Sequence, residues 1–317
     1  MRSVPARRTR AFRHEAVFYR GLEDFTRIVA PFVSAGLAAG EQVLVVEVPA
    51  RIEALRSVLG PASDEVAFLD MMTLGRNPAR IIPAWHRFVV EHPGRPVRGV
   101  GEPVWPGRRA AELEECRLHE SLLNVVFDEV GTDFRLLCPY DASALSGEVL
   151  ADAARTHPVV GSTEENPAYG GPTWAVGEFE RPLPEPPADA ERITFGLEDL
   201  AGLRSVVHRL CEMTNLAGDV VEDLVLATHE LASNSIRHGG GEGLLRGWRE
   251  PGALVLEVSD RGVIRDPLVG REEAAALAEG GRGVWMANHL CDLVQVRSSE
   301  RGTSVRLHSW LAGPVGG

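Results

Sequence analysis

Short apolar runs alternate with longer amphipathic stretches through the first half of the chain. Gln42–Val48 (QVLVVEV), Val66–Leu69, Val97–Val100 and Phe134–Leu137 are rich in Val, Ile, Leu and Phe and lie near turn-forming residues, the pattern of buried strands. Between them, Ala50–Leu59, Pro78–Glu91 and Arg108–Val126 have the length and spacing of helices. This alternation predicts an α/β layered domain with a mostly parallel sheet.

The second half is patterned differently. Ile193–Leu197 reads as a short strand, and Leu200–Thr214 as a helix whose Leu203, Val206, Val207 and Leu210 share one apolar face. A second helix is predicted over Asp219–His238, with Asp219 as cap, Glu222 three residues on, and Gly239–Gly241 as the stop. On it Val221, Leu224, Val225, Thr228, Ala232 and Ser235 form one stripe, and Glu230 and Asn234, four apart, share a face roughly opposite. Ala253–Ser259 and Ser304–Trp310 read as strands and Val284–Leu290 as a helix. Between the halves, Gly177–Glu191 (GEFERPLPEPPADAE) combines four prolines with acidic residues and no apolar period, which predicts an extended spacer. The expected organisation is a basic, disordered tail over residues 1–12, a first domain over 13–176, a linker over 177–191 and a second domain over 192–317.

Composition narrows the function classes. The 317 residues exceed what one core usually organises, and 44% hydrophobic with 25% charged residues is ordinary for a globular protein. No apolar run reaches the length of a membrane span, and no apolar segment of a secretion signal follows the basic residues Met1–Arg10. The four cysteines, Cys116, Cys138, Cys211 and Cys291, form no C-x-x-C pair, which points to reduced thiols in a cytoplasmic protein and not to a zinc or disulfide scaffold. A net charge of −12 argues against direct nucleic-acid binding, so partners are expected to be proteins.

Candidate chemistry differs between the halves. The first contains no G-x-x-x-x-G-K-[ST] phosphate loop. Its polar residues beside predicted strands are His14 and Tyr19 ahead of the first helix, Glu102 and Trp105 in GEPVWP, Glu120 and Asn124 in HESLLN, and Tyr140 in CPYD; His14, Glu102, Glu120 and Tyr140 are the candidates for a small-molecule site or an interdomain contact. In the second half, Asn234 offers a neutral carbonyl oxygen suited to Mg²⁺, and Glu230 beside it could orient or deprotonate a nucleophile. Asp260, closing a strand in DRG, can accept a hydrogen bond from the amino group of adenine, with Gly262 letting the backbone approach the base. Gly280-Gly281-Arg282-Gly283 opens a helix, leaving backbone N–H groups free for phosphates. The Thr303 hydroxyl, in the turn Arg301-Gly302-Thr303, is within reach of the same pocket.

In the first half HEAVFY, GLAAGEQ, GEPVW, HESLLN, CPYD and THPVV occur in the order seen in the MEDS domain, which Arg13–Ser162 resembles. The resemblance implies a RecA-like α/β sensory domain that has lost its phosphate loop and senses a small molecule. In the second half ELASN, DRG, GGRG and RGT, in this order, resemble the N, G1 and G2 boxes and closing turn of the GHKL superfamily, above all its anti-sigma factor and serine-kinase branch. That resemblance implies an α+β Bergerat ATP-binding sandwich in which Asn234 binds Mg²⁺, Asp260 adenine, and Gly281 and Gly283 phosphate, with Glu230 the catalytic base. His238 matches the RH that closes the N box, in a structural or phosphate-proximal role. The sequence departs from the pattern at Ile264, where G1 usually has a second glycine, and Val263–Glu279 is short for an ATP lid.

The expected function is a regulator of transcription and signal transduction that binds Mg-ATP, sequesters a sigma factor and phosphorylates Ser or Thr of an anti-anti-sigma (STAS) protein. A non-catalytic ATP-gated binding module is the alternative. A sensor histidine kinase is a weaker one, because the short helix bearing His208 supplies no phosphoacceptor hairpin. A homodimer is compatible with either.

Overall fold

A computed structural model describes residues 12–127, 133–161, 166–212, 214–272 and 281–311. The expected tail, apart from Phe12, lies outside the described residues, as do residues 273–280 of the short lid and Gly280 of GGRG. The chain divides into two compact units, Met1–Leu74 with Ala84–Trp174, and Gly75–Pro83 with Ala175–Gly317.

The first unit runs β1 (Phe12–Tyr19), α1 (Gly21–Ala38), β2 (Gln42–Glu47), α2 (Pro49–Leu59), β3 (Ala67–Asp70), α3 (Met71–Leu74), α4 (Ile81–Glu91), β4 (Val97–Gly101), α5 (Ala110–Val126), β5 (Phe134–Asp141), α6 (Gly147–Thr156) and β6 (Val159–Val160). Its six strands pair in the order β3-β2-β4-β5-β1-β6, every pair parallel. The predicted α/β class is thus observed. Only Arg20 separates β1 from α1, with Gly21 at φ 74°, so the connection that would carry a phosphate loop has no length for one. The strand β1 was not predicted, because Arg13, His14 and Glu15 interrupt its apolar pattern; it lies inside the sheet between β5 and β6.

Alternation along β1 and β5 sends side chains to opposite faces. Val17, Tyr19 and Leu137 join the core built by Phe25, Val29 and Val33 of α1. His14 and Cys138 lie on the other face, against Glu120 and Asn124 of α5. On β4, glycine is required sterically: a Cβ at Gly99 would stand 2.8 Å from the Trp85 ring, and one at Gly101 3.0 Å. The two glycines admit the fully buried indole of α4 over the strand.

A helix α7 (Pro172–Glu180) precedes the second sheet, so Gly177–Glu180 of the expected spacer is helical and the extended stretch is residues 181–190. Nor is that stretch a free tether. The Pro184 carbonyl accepts from Arg306, and Ala190 packs with Trp248, Ala253 and Val255, so the segment lies along its own sheet.

The second unit continues with β7 (Glu191–Phe195), α8 (Leu200–Glu212), α9 (Gly218–His238), β8 (Gly243–Glu250), β9 (Ala253–Asp260), α10 (Arg282–Leu290), β10 (Leu293–Ser299) and β11 (Gly302–Trp310). The strands form an antiparallel sheet, β10-β11-β9-β8-β7. Leu245, Val258 and Val305, adjacent in register, face the helices, while half-buried Arg246 and buried Glu257 and Arg306 form an ion-paired row on the opposite face. That polar row explains why β8 and β10, which carry Arg246, Gln295 and Arg297, do not read as strands from hydrophobic pattern. The predicted capping of α9 is corrected: Ala217 occupies the cap with no side-chain hydrogen bond, and Asp219, inside the first turn, accepts only from the Val220 amide at 3.0 Å. The helix begins one residue earlier than the polar pattern implied.

Trp85→Ala should destabilise the first unit by about 3–5 kcal/mol, since a large ring is lost from a site that two glycines were needed to form. Urea unfolding followed by circular dichroism checks this; a parent-like midpoint would remove the Trp85 contact from the core.

Candidate functional site

In the second unit a cavity of about 340 Å³ opens between the sheet and helices α9 and α10. Asn234 and His238 of α9, Asp260 at the end of β9, Gly262 just after it, Gly281 before α10 and Thr303 of β11 all line it, which brings together six residues singled out in the sequence. Apolar walls come from Leu231, Val258, Val284 and Val305, with Val263 and Ile264 on the connecting loop.

Asp260 faces the cavity because it ends β9 on the helix-facing register of Val258, directly opposite Thr303 on β11. One of its carboxylate oxygens accepts from the Ser235 hydroxyl at 2.6 Å, the other from the Gly262 amide at 2.7 Å. Ser235, assigned by pattern to the apolar stripe, is therefore a positioning residue for Asp260. Ser298, missed in the sequence, completes a second chain. The Ile264 amide donates to the Ser298 hydroxyl at 2.8 Å, the Ser298 and Thr303 hydroxyls pair at 2.7 Å, and Thr303 donates to the Gly262 carbonyl at 2.8 Å. This chain holds residues 262–264 although Ile264 stands where the motif has glycine. Close approach requires the other glycines: a Cβ at Gly239 would lie 2.3 Å from the Asp260 carboxyl carbon, and one at Gly262 2.7 Å from the His238 carbonyl oxygen.

The face bearing Glu230 and Asn234 is not solvated, in contrast to the expectation of a face directed away from the core. Both residues are half-buried, because α10 lies across them. A Cβ at Gly283 would stand 2.6 Å from the Asn234 amide nitrogen and 3.5 Å from the Glu230 Cβ. Gly281 starts α10 in the left-handed region, φ 82°, with no side-chain cap, and Arg282 is exposed. The first amides of α10 are thus presented at the edge of the cavity beside Asn234, a geometry suited to anionic groups.

In the first unit the four sensory candidates do not line a single site. His14 and Glu120 meet at 3.1 Å with Cys138 and His157, and the Tyr140 ring packs edge-on to His157. Burial, and then the neighbouring His157, pulls the His14 imidazole down to about 4. Burial and the Glu120 carboxylate push the Cys138 thiol well up. Glu102 belongs to a separate buried group at the carboxyl ends of β1, β2 and β4, the position where open parallel sheets place ligands. There the Tyr19 hydroxyl donates to Glu102 at 3.1 Å, and Arg51 lies 2.9 Å from Glu102 and 3.6 Å from Glu47. Burial pushes the Glu47 carboxyl up to about 8 against the attraction of Arg51. Glu47 and Arg51 were missed; Glu47 reads as part of the apolar run QVLVVEV, and only the fold sets it beside Glu102.

Comparison with known proteins agrees with these two architectures. Residues 13–158 match the family described as the methanogen/methylotroph, DcmR sensory domain, MEDS, and residues 193–309 match the histidine kinase-like ATPase domain. The chain is a MEDS domain followed by a histidine kinase-like ATPase domain. No curated protein matches it. Among solved structures, the RsbU and RsbW domains of Rv1364c from Mycobacterium tuberculosis are 18% identical, with a TM-score of 0.31, over 40% of this chain and 34% of that one. A DnaB-like replicative helicase, described in its interactions with primase, is 9% identical with a TM-score of 0.31, over 79% of this chain and 52% of that one. The chain therefore spans about a third of the first and half of the second. All four cysteines are free and buried, and no helix among the described residues is long and apolar enough to cross a membrane.

The Glu47 carboxyl, raised in the folded MEDS domain to about 8 from its ordinary value of 4.5, has a definite pH consequence. A group whose folded pKa is raised contributes stability that is fully present below its unfolded pKa and is lost as pH rises through the folded one. Glu47→Gln should therefore flatten the fall in MEDS-domain stability between about pH 5 and 8 relative to the parent. Parallel urea midpoints for parent and variant across that range would refute the assignment.

Proposed function

We propose that the ATPase domain binds Mg-ATP in the cavity around Asp260 and acts as a nucleotide-controlled switch in transcription, sequestering a sigma factor and phosphorylating Ser or Thr of an anti-anti-sigma protein. The observation that carries the nucleotide reading is the meeting, in one cavity, of a positioned carboxylate at a strand end with a carboxamide and an uncapped helix start. Asp260 keeps acceptor capacity after its two internal hydrogen bonds and is the group suited to an exocyclic amino group; Leu231, Val258, Val284 and Val305 supply apolar walls for a flat base. Asn234 fits a metal-bound phosphate because its carboxamide makes no side-chain hydrogen bond among the described residues. The missing Cβ of Gly283 also leaves the backbone close against it. Bound Mg-ATP would supply a transferable phosphoryl group whose charge the metal neutralises. Glu230, one turn before Asn234, would orient or deprotonate the acceptor hydroxyl, and the amides of α10 would hold phosphate oxygens.

The sigma-factor and STAS partners rest on the ELASN, DRG, GGRG and RGT pattern, and the MEDS domain is assigned the sensing of a small molecule that biases the switch. The half-buried setting of Glu230 under α10 favours a catalytic reading over a solvated helix face; the alternative is a non-catalytic ATP-gated binding module.

Asn234→Ala and Asp260→Ala should each weaken Mg-ATP binding at least tenfold, about 1.4 kcal/mol, with circular dichroism unchanged. Calorimetric titration checks this, and parent-like affinity in both variants would move the nucleotide elsewhere. Glu230→Ala should keep ATP affinity but lose transfer of labelled phosphate to the partner. Equal transfer by parent and variant removes Glu230 from the chemistry, and absence of transfer by the parent favours the non-catalytic module.

A further inference from the structure

On the α5 face of the MEDS sheet, four residues from four different segments converge: His14 on β1, Glu120 on α5, Cys138 on β5 and His157 directly after α6. One nitrogen, sulfur or oxygen atom from each lies within 4.8 Å of all the others, and all four residues are buried. The separations are 3.1 Å for His14 Nε2 to Glu120 Oε2, 3.3 Å for His14 Nε2 to Cys138 Sγ, 3.4 Å for His157 Nε2 to Glu120 Oε2, and 3.7 Å for Cys138 Sγ to Glu120 Oε2. Ligand atoms around a tetrahedral zinc, at bond lengths of about 2.0–2.3 Å, stand roughly 3.3–3.8 Å apart.

The outer nitrogen of each imidazole is already committed. The Asn124 amide group donates to the backbone carbonyls of Glu120 and Thr156, which leaves its oxygen as acceptor for His14 Nδ1 at 3.1 Å. His157 Nδ1 donates to the Ala153 carbonyl at 2.7 Å. Each ring thus turns its Nε2 inward, His14 toward the Glu120 carboxylate and the Cys138 sulfur, His157 toward the same carboxylate. Among the described residues, the buried His157 Nε2 and Glu120 Oε1 make no hydrogen bond, although His157 Nε2 lies 3.4 Å from Glu120 Oε2. Two imidazole nitrogens, a carboxylate and a sulfur thus meet in one buried space. Histidines held through their second nitrogen by a carboxamide and a backbone carbonyl are in the orientation that metal ligands require.

We propose that the MEDS domain holds a divalent transition-metal ion, zinc by preference, on His14 Nε2, Glu120, Cys138 and His157 Nε2. Two imidazoles, a thiolate and a carboxylate form a borderline-soft set matched to zinc and unsuited to Mg²⁺ or Ca²⁺. The ion replaces the thiol proton, which is released on binding, and cross-links β1, α5, β5 and the segment after α6. Glu120 also borders a cavity of about 210 Å³ lined by Cys116, Tyr140 and Thr156, which gives the ion a route in and places the metal next to the space where a small ligand would sit.

The test uses the reduced full chain, stripped with a chelator and titrated without nucleotide with Zn²⁺, and separately with Co²⁺ as a spectroscopic reporter. One ion per chain is expected, with the visible bands of four-coordinate cobalt and a near-ultraviolet thiolate-to-cobalt band. The near-isosteric Cys138→Ser should abolish the thiolate band. His157→Gln should weaken binding at least tenfold, and Asn124→Ala, which frees the His14 ring, about 10–100-fold. Cys116→Ser and Asn234→Ala should bind as the parent does, which separates this site from the nucleotide cavity. Far-ultraviolet circular dichroism confirms that each variant is folded. Failure of the folded parent to take up either ion at micromolar concentration would overturn the proposal, as would stoichiometric binding that Cys138→Ser and His157→Gln leave unchanged.

Discussion

Asp260 is held in place by two elements of its own domain. The Ser235 hydroxyl from α9 takes one oxygen, the Gly262 amide takes the other, and β11 sets Thr303 alongside. Fixing a partly buried carboxylate in this way requires backbone on three sides to come closer than a side chain permits. Glycine therefore stands at 239, 262 and 302, where a Cβ would fall 2.3–2.7 Å from the Asp260 side chain or from the backbone carbonyl oxygens of His238 and Asp260. Much of the ATPase domain follows from this constraint. The end of α9, the end of β9 and the start of β11 are drawn to one corner, and the start of α10 closes over Asn234 to complete the cavity. Preorganisation of this kind lowers what a ligand must spend on ordering the site.

The outer face of the same sheet solves a different problem. Glu257 and Arg306 are buried there beside half-buried Arg246, and an ion pair taken out of water is costly unless its remaining groups are satisfied. The proline-rich segment supplies part of that satisfaction, since the Pro184 carbonyl accepts from Arg306 while Ala190 joins Trp248 and Val255. A stretch whose composition suits a spacer thus serves as a third layer. Proline suits it because it fixes an extended backbone and needs no amide partner.

The MEDS domain has a fully parallel sheet in which a single residue joins β1 to α1, which leaves no length there for a phosphate loop. Its polar chemistry lies instead in two buried groups. Alternation along one strand separates them: His14 belongs to the cluster with Glu120, Cys138 and His157, while Tyr19 reaches Glu102 and, through it, Arg51 and Glu47. Groups so thoroughly removed from water require polar partners, the Arg51 guanidinium for Glu102 and Glu47 and the two imidazoles for Glu120.

Local pattern was enough for several features. Short apolar runs and period-3.6 signals located β2 to β5, α2, α5 and α9, and the chain order of the short motifs ELASN, DRG, GGRG and RGT singled out Asn234, Asp260, Gly262, Gly281 and Thr303, because that order can be read before the fold brings the motifs together. Other features depended on contacts distant along the chain, where no window of sequence holds the reason. β1 was hidden because His14 is buried against Glu120, 106 positions away. β8 and β10 were hidden because Arg246, Gln295 and Arg297 interrupt their apolar pattern. Ser235 resembled a core residue until β9 brought Asp260 to it, Ser298 showed no signal before Ile264 donated to it, and Glu102, just past the end of β4, parted from His14 because its partner Tyr19 projects to the opposite face of β1. The sequence determined which elements form and which short motifs carry chemistry, since those depend on neighbours in the chain. The tertiary structure alone decided which buried polar groups meet, since the cost of burial is offset by partners that only the fold brings near.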